Sequence, residues 1–100
     1  LNMNKTLTTK QKQDLEMISN PSKWPDSFIL PLKRVLKEEG FPWELGFLLN
    51  HPDCPFERVF RDSIFSLKDC YDRGESPMIS IKHKTYPDLQ TMLEDGWEVD

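Results

Sequence analysis

The sequence predicts an α+β fold: a small antiparallel sheet of three to five strands with an N-terminal and a C-terminal helix packed on one face. Three observations predict it. Phe28, Leu30 and Leu32, and again Leu45, Phe47 and Leu49, alternate with the period of strands that have one buried face. Residues 9–19 and 87–95 place apolar side chains at helical spacing instead. Leu, Ile, Val and Phe make up 26 of the 100 residues, enough for one domain with its own core over 1–100. Residues 1–7 are polar and expected to be flexible, and Met3 behind Leu1-Asn2 is the expected initiator.

Thr8 is a good N-cap for the first helix, and Gln11, three residues on, completes a capping box. Leu15 and Ile18 share one face, and Pro21 ends the helix. Residues 21–25, with two prolines around Trp24, form a stiff connector that the tryptophan anchors or presents. The stretch from Trp24 to Asn50 organises the chain, with two apolar runs separated by Lys37-Glu38-Glu39-Gly40. Pro31 in the first run predicts an edge strand or a bulge. Periodicity also permits a helix over 31–39, burying Leu32, Val35 and Leu36 together. Leu45 to Leu49 reads as a strand whose Gly46 marks a bulge or close packing.

Residues 51–55 are turn-rich. Val59 to Leu67 has strand composition, with Phe60, Ile64 and Phe65 as core candidates; Lys68 to Pro77 reads as a loop. Met78 to Tyr86 reads as a strand with Ile79 and Ile81 inward. Pro87 suits the first position of the last helix, whose stripe is Leu89, Met92 and Leu93. Gly96 closes it, and Trp97-Glu98-Val99 is a short strand.

The segments W-P-D-S-F-I-L-P-L-K-R, E-L-G-F-L-L and D-G-W-E-V-D resemble a group of small bacterial and phage proteins of unassigned activity. The shared pattern is a W-P-x-x-x-x-L-P-L-K-R stretch with a D-G-W-x-V-D ending. The chain departs from it at Ser27-Phe28 and over residues 52–58. The resemblance favours strand for residues 30–35 and implies a phage or mobile-element origin. It lends no catalytic residue.

The net charge of −4 is unevenly spread: residues 1–43 carry +2 and residues 44–100 carry −6. Direct nucleic-acid binding is disfavoured because a basic stripe is missing, and a basic protein partner is favoured. The apolar runs are too short for a membrane span. The start shows no basic-then-apolar leader, so the expected location is cytoplasmic, where two cysteines stay free thiols.

His51, Cys54, Cys70 and His83 could hold zinc or form a Cys/His catalytic pair. The H-x2-C spacing suits a knuckle, but Cys70 and His83 are too far apart in sequence to complete one. No nucleophile elbow or phosphate loop is present in the sequence. Lys33, Arg34, Arg58 and Arg61 could form a basic patch or keep strand edges soluble. The expectation is therefore a non-enzymatic protein-interaction or regulatory module without cofactor, metal or catalytic residues. Trp24, Trp43, Glu94, Asp95, Glu98 and Asp100 are its interaction candidates. The alternatives are an acidic inhibitor that mimics nucleic acid and a metal-binding or Cys/His enzyme.

Overall fold

The structure is a computed structural model and describes residues 7–35 and 43–100. Its element order is α1 (Thr9–Ser19), a 3-10 turn (Pro21–Lys23), β1 (Ile29–Val35), β2 (Trp43–Leu49), β3 (Arg58–Phe60), α2 (Ile64–Asp72), α3 (Pro77–Ser80), β4 (His83–Thr85), α4 (Leu89–Glu94) and β5 (Trp97–Val99). The strands form one antiparallel sheet in the order β4-β3-β2-β1-β5. The fold is α+β. No helix among the described residues is long and apolar enough to cross a membrane.

The β1–β2 pair is the centre of the sheet, in register from Ile29↔Leu49 to Val35↔Trp43. Residues 30–35 are thus strand, as the resemblance and the expected pairing with Leu45–Leu49 favour; Leu36 and the charged break at 37–40 lie outside the described residues. β1 is not the edge strand that Pro31 predicts, because β5 pairs on its other side. The proline is tolerated for a local reason. Hydrogen-bonded positions alternate along an antiparallel pair, and Asn50 donates to Phe28 O at 2.8 Å. The nitrogen of Pro31 therefore faces β5, at the point where β5 ends. There Asp100 N donates to Pro31 O at 3.1 Å, so the missing N–H breaks no ladder bond to β2.

Alternation along β1 and β2 gives the sheet two different faces. Leu30, Leu32 and Leu48 point to the first face and pack with Ile18, Met92, Leu93 and Trp97 under α1 and α4. Phe47, Leu49 and Phe60 point to the second and pack with Leu67, Cys70 and Ile81 under α2 and α3. The two predicted helices do share one face. The cover of the other face comes from segments that read as strand and loop.

The strand expected over Val59–Leu67 stops at Phe60. Ser63 is extended at φ −77°, ψ 160°, and the chain then turns helical through Asp72. Leu67 and Cys70, three apart, become the buried side of that helix, whereas Ile64 and Phe65 are exposed rather than core. The expected loop at 68–77 is half helix. The strand expected over Met78–Tyr86 is similarly reduced to His83–Thr85. Ser76 accepts from Met78 N and Pro77 takes the first helical position, so a short helix forms and carries Ile79 into solvent. Ile81 is buried, as expected.

The helices of the first face follow their local signals. Thr8 Oγ1 accepts from Gln11 N at 3.0 Å and Gln11 Oε1 accepts from Thr8 N at 2.9 Å, the reciprocal capping box. Pro87 is not the first helical position as expected: the last helix begins at Leu89, and Asp88 between them is its cap, with Asp88 Oδ1 accepting from Thr91 N at 2.7 Å. That bond holds the Asp88 carboxyl below its ordinary value.

Candidate functional site

On the first face, Arg34 of β1 lies across from Glu44 of β2 and Trp97 of β5. Its guanidinium donates to Glu44 Oε1 through Nε at 3.0 Å and to Asp95 Oδ2 through Nη1 at 3.0 Å, and sits 5.3 Å from the Trp97 ring centre. Arg61 Nε donates to the other Glu44 oxygen at 2.6 Å. Burial alone would push the Glu44 carboxyl up, but the hydrogen bonds from Arg61 and Arg34 outweigh it and hold the group below its ordinary value. Tyr86 donates its hydroxyl proton to Asp95 and accepts from Trp97 Nε1 at 3.0 Å. Burial, followed by that bond to Asp95, pushes the Tyr86 phenol up to about 12.

A depression of about 340 Å³ adjoins Tyr86 and Asp95. The network beside it is closed on itself, however, and no buried side-chain N or O among the described residues lacks a hydrogen-bond partner. Its bonds tie β1, β2, the end of β3 and the end of α4 together. It is a structural cluster, with the half-exposed Lys84 Nζ 3.9 Å from Asp95 Oδ2 on the side of the depression.

The second face is different. α2 covers only part of it. Trp43 and Leu45, at the outer end of β2, are about half exposed, and Ile64 and Phe65, in the first turn of α2, are 38% and 74% exposed. Pro31, Leu45, Ser63, Ile64, Phe65 and Asp100 line a groove of about 220 Å³ between α2 and the sheet. Lys33 sits beside it, 4.8 Å from the Trp43 ring centre and 4.0 Å from Asp100 Oδ1. Glu98 lies opposite Lys33 in the β1–β5 register and so shares this face.

The interaction candidates named from sequence divide between these environments. Asp100 lines the groove, and Trp43 and Glu98 share its sheet face on either side of Lys33. Asp95 belongs to the network, and Glu94 is exposed beyond it. Trp24 is corrected: it is buried, tilted against Phe56 at 5.6 Å, with Nε1 donating to Met17 O at 2.7 Å. The two prolines present the ring to the core, not to a partner. Leu45, Ile64 and Phe65 carry the patch but read as core in the sequence, since apolar character does not distinguish covered from uncovered surface.

The side chains of the soft-ligand residues have separate hydrogen-bond or packing partners, although Cys54 N donates to His51 O at 2.9 Å and the two residues line one depression. Cys54 and Cys70 are buried free thiols. Cys54 Sγ contacts Met78 Sδ at 3.3 Å, and Cys70 Sγ donates to Glu75 O at 3.0 Å. His51 Nδ1 accepts from Asp53 N at 3.1 Å, and the His83 ring tilts against Phe60. Among the described residues no group of three or more His, Cys, Asp or Glu is placed to hold a metal ion. Burial pushes the Cys54 thiol up, more than the nearby Arg58 charge lowers it, which leaves it a poor nucleophile.

The sheet edge next to the groove is closed. Asp14 is 2% exposed, and its Oδ2 accepts from Val99 N at 3.3 Å. Lys10 Nζ pairs with Asp14 Oδ1 at 2.6 Å and donates to Val99 O at 3.3 Å. Two side chains of α1 thereby occupy the outward-facing N–H and C=O of Val99 in β5. Compared with protein-family models, curated proteins and solved structures, the chain shows no match.

Proposed function

We propose that the protein is a non-enzymatic protein-interaction module whose docking surface is the uncovered part of the second sheet face. One observation carries this: Leu45, Ile64 and Phe65 are exposed together along one groove, with Trp43 exposed two residues along β2 on the same face, whereas Phe47 and Leu49 of that face are buried. Four large apolar side chains grouped on one surface are costly to leave in water and are typical of a binding site. A regulatory role and a phage or mobile-element origin agree with such a module. The closed hydrogen bonding of the Arg34 network and the raised Cys54 thiol favour binding over catalysis. Glu44, Asp72, Glu75 and Asp95 are engaged in ion pairs, which favours docking over mimicry of a phosphate backbone.

The test compares capture of host proteins by the wild type, a Leu45→Ser/Phe65→Ser variant and an Ile79→Ser control, with quantitative mass spectrometry. Ile79 is 88% exposed on α3, away from the groove lining. A partner retained by the wild type and the control but lost from the double variant is the expected result. Identical capture by all three would remove the groove from the function.

A further inference from the structure

We infer that the groove receives one face of a basic amphipathic helix belonging to a partner protein. The inference rests on the docking reading above and adds the chemistry of the partner.

Size is the first argument. Small-molecule pockets typically enclose about 300–1,000 Å³. The groove, at about 220 Å³, has room for one or two anchoring side chains and not for a cofactor. Its walls are apolar, Pro31 and Leu45 on the sheet and Ile64 and Phe65 on α2, so the anchors are apolar as well.

Charge is the second. Asp62 is exposed immediately before the α2 wall. Glu98 and Asp100 lie on the β5 side. Against these three carboxylates stands Lys33, already placed against Asp100 and the Trp43 ring. Cationic side chains flanking an apolar stripe would find carboxylates on both sides of the groove. A nucleic acid would bring phosphates to the same carboxylates, and a second copy of the chain would bring carboxylates to carboxylates.

The closed edge of β5 is the third. An extended peptide docks by adding a strand to a free edge. Beside the groove that edge is already occupied by Asp14 and Lys10. Strand addition at Val99 would displace these two side chains, whereas the groove walls are side chains of the sheet face and α2, a surface suited to an amphipathic helix, which binds through residues at i, i+3, i+4 and i+7.

The test uses synthetic peptides of about 18 residues, five helical turns. The first carries a Leu/Phe stripe flanked by Lys and Arg. The second replaces every cation with Glu. The third scrambles the first so that the stripe is broken. Each is titrated into the full chain and followed by the indole N–H signal of Trp43 and by calorimetry. The expected result is binding of the first peptide about tenfold tighter than either of the others, with a shift at Trp43 and weakening as salt is raised. Leu45→Ser/Phe65→Ser should abolish the shift, and Glu98→Lys/Asp100→Lys should reverse the preference between the first two peptides. These four positions are partly or largely solvent-exposed, so circular dichroism can confirm that the variants remain folded. Equal binding of the acidic or the scrambled peptide overturns the inference, as does binding that survives the double Ser variant. Failure of the basic peptide to bind, or dimerisation of the free chain through this groove, also overturns it. If capture from host lysate still depends on Leu45 and Phe65 when no basic peptide binds, the docking reading stands and the helical partner alone falls.

Discussion

At the scale of single residues, Gly46 shows how tightly the first face is built. A Cβ there would lie 2.7 Å from Cζ3 of Trp97 and 2.9 Å from the carbonyl oxygen of Phe60. One contact is a large ring fixed in the core and the other is backbone, so neither yields easily. Gly46→Ala should destabilise the fold by about 1–3 kcal/mol, the usual range for overpacking. Urea unfolding measures this, and the loss should be partly recovered when Trp97→Phe is combined with it, because the two sites share one space. Trp97→Ala alone should cost about 3–5 kcal/mol, since the ring is 1% exposed among the apolar residues of the first face. Tyr86 adds a pH dependence. Its phenol rises from the usual 10 to about 12 in the fold, so the folded state keeps a proton that the unfolded chain gives up. This stabilisation is complete below pH 10 and is lost as pH rises toward 12, at up to about 1.4 kcal/mol per pH unit. Tyr86→Phe should flatten that part of the stability profile relative to wild type; parallel profiles would show that the phenol titrates normally.

At the scale of elements, α1 covers the first core and also closes the edge of β5 through Asp14. Asp14→Ala leaves the Val99 N–H without its acceptor and Lys10 without its carboxylate, so a loss of about 1–3 kcal/mol is expected. The freed edge should also make sedimentation concentration-dependent, an effect absent from a Thr8→Ala variant that weakens only the helix cap. The contrast between α1 and α2 explains what could be read from the sequence. The start of α1 rests on the capping box of Thr8 and Gln11, its end is followed by Pro21, and β2 rests on the alternation of Leu45, Phe47 and Leu49; all of these are local, whereas periodicity over residues 31–39 also permits a helix. α2 has a local marker only at its end, where Gly74 at φ 70° and the bond from Glu75 N to Cys70 O at 2.9 Å close the helix. Ser63 makes no side-chain cap bond, and Ile64 and Phe65 favour strand by composition. Its helix follows from a nonlocal need, since Phe47, Leu49 and Phe60 require a cover that a continued strand would not supply. The site was legible to the same extent. Trp43, Glu98 and Asp100 stood out by residue type. The exposure of Leu45, Ile64 and Phe65 depends on where α2 ends its cover, which no short stretch of sequence encodes.

At the scale of the whole molecule, the proposed docking would give the two sheet faces separate tasks, and one pair of measurements can separate them. The first face carries the Arg34 network, and Glu44 is its centre, bonded to two arginines and only 17% exposed at its side chain. Its carboxyl is held below the ordinary 4.5, so the folded state favours the ionised form more strongly than the unfolded chain does. That contribution is present above about pH 4.5 and is lost as pH falls through the depressed folded value. Glu44→Gln should therefore lower stability at pH 7 by a kcal/mol or more, on the order expected for losing charged hydrogen bonds. The difference from wild type should shrink as both proteins are acidified. Because the groove lies on the opposite face, this variant should still capture the partner at temperatures where it remains folded. Phe65→Ser should behave in the converse way. The ring is largely solvent-exposed, so the unfolding midpoint should move little, within about 0.5 kcal/mol. Partner capture should fall. A Phe65→Ser variant as destabilised as Glu44→Gln would mean that the ring supports the core from outside, and the exposed patch would then belong to folding and not to recognition.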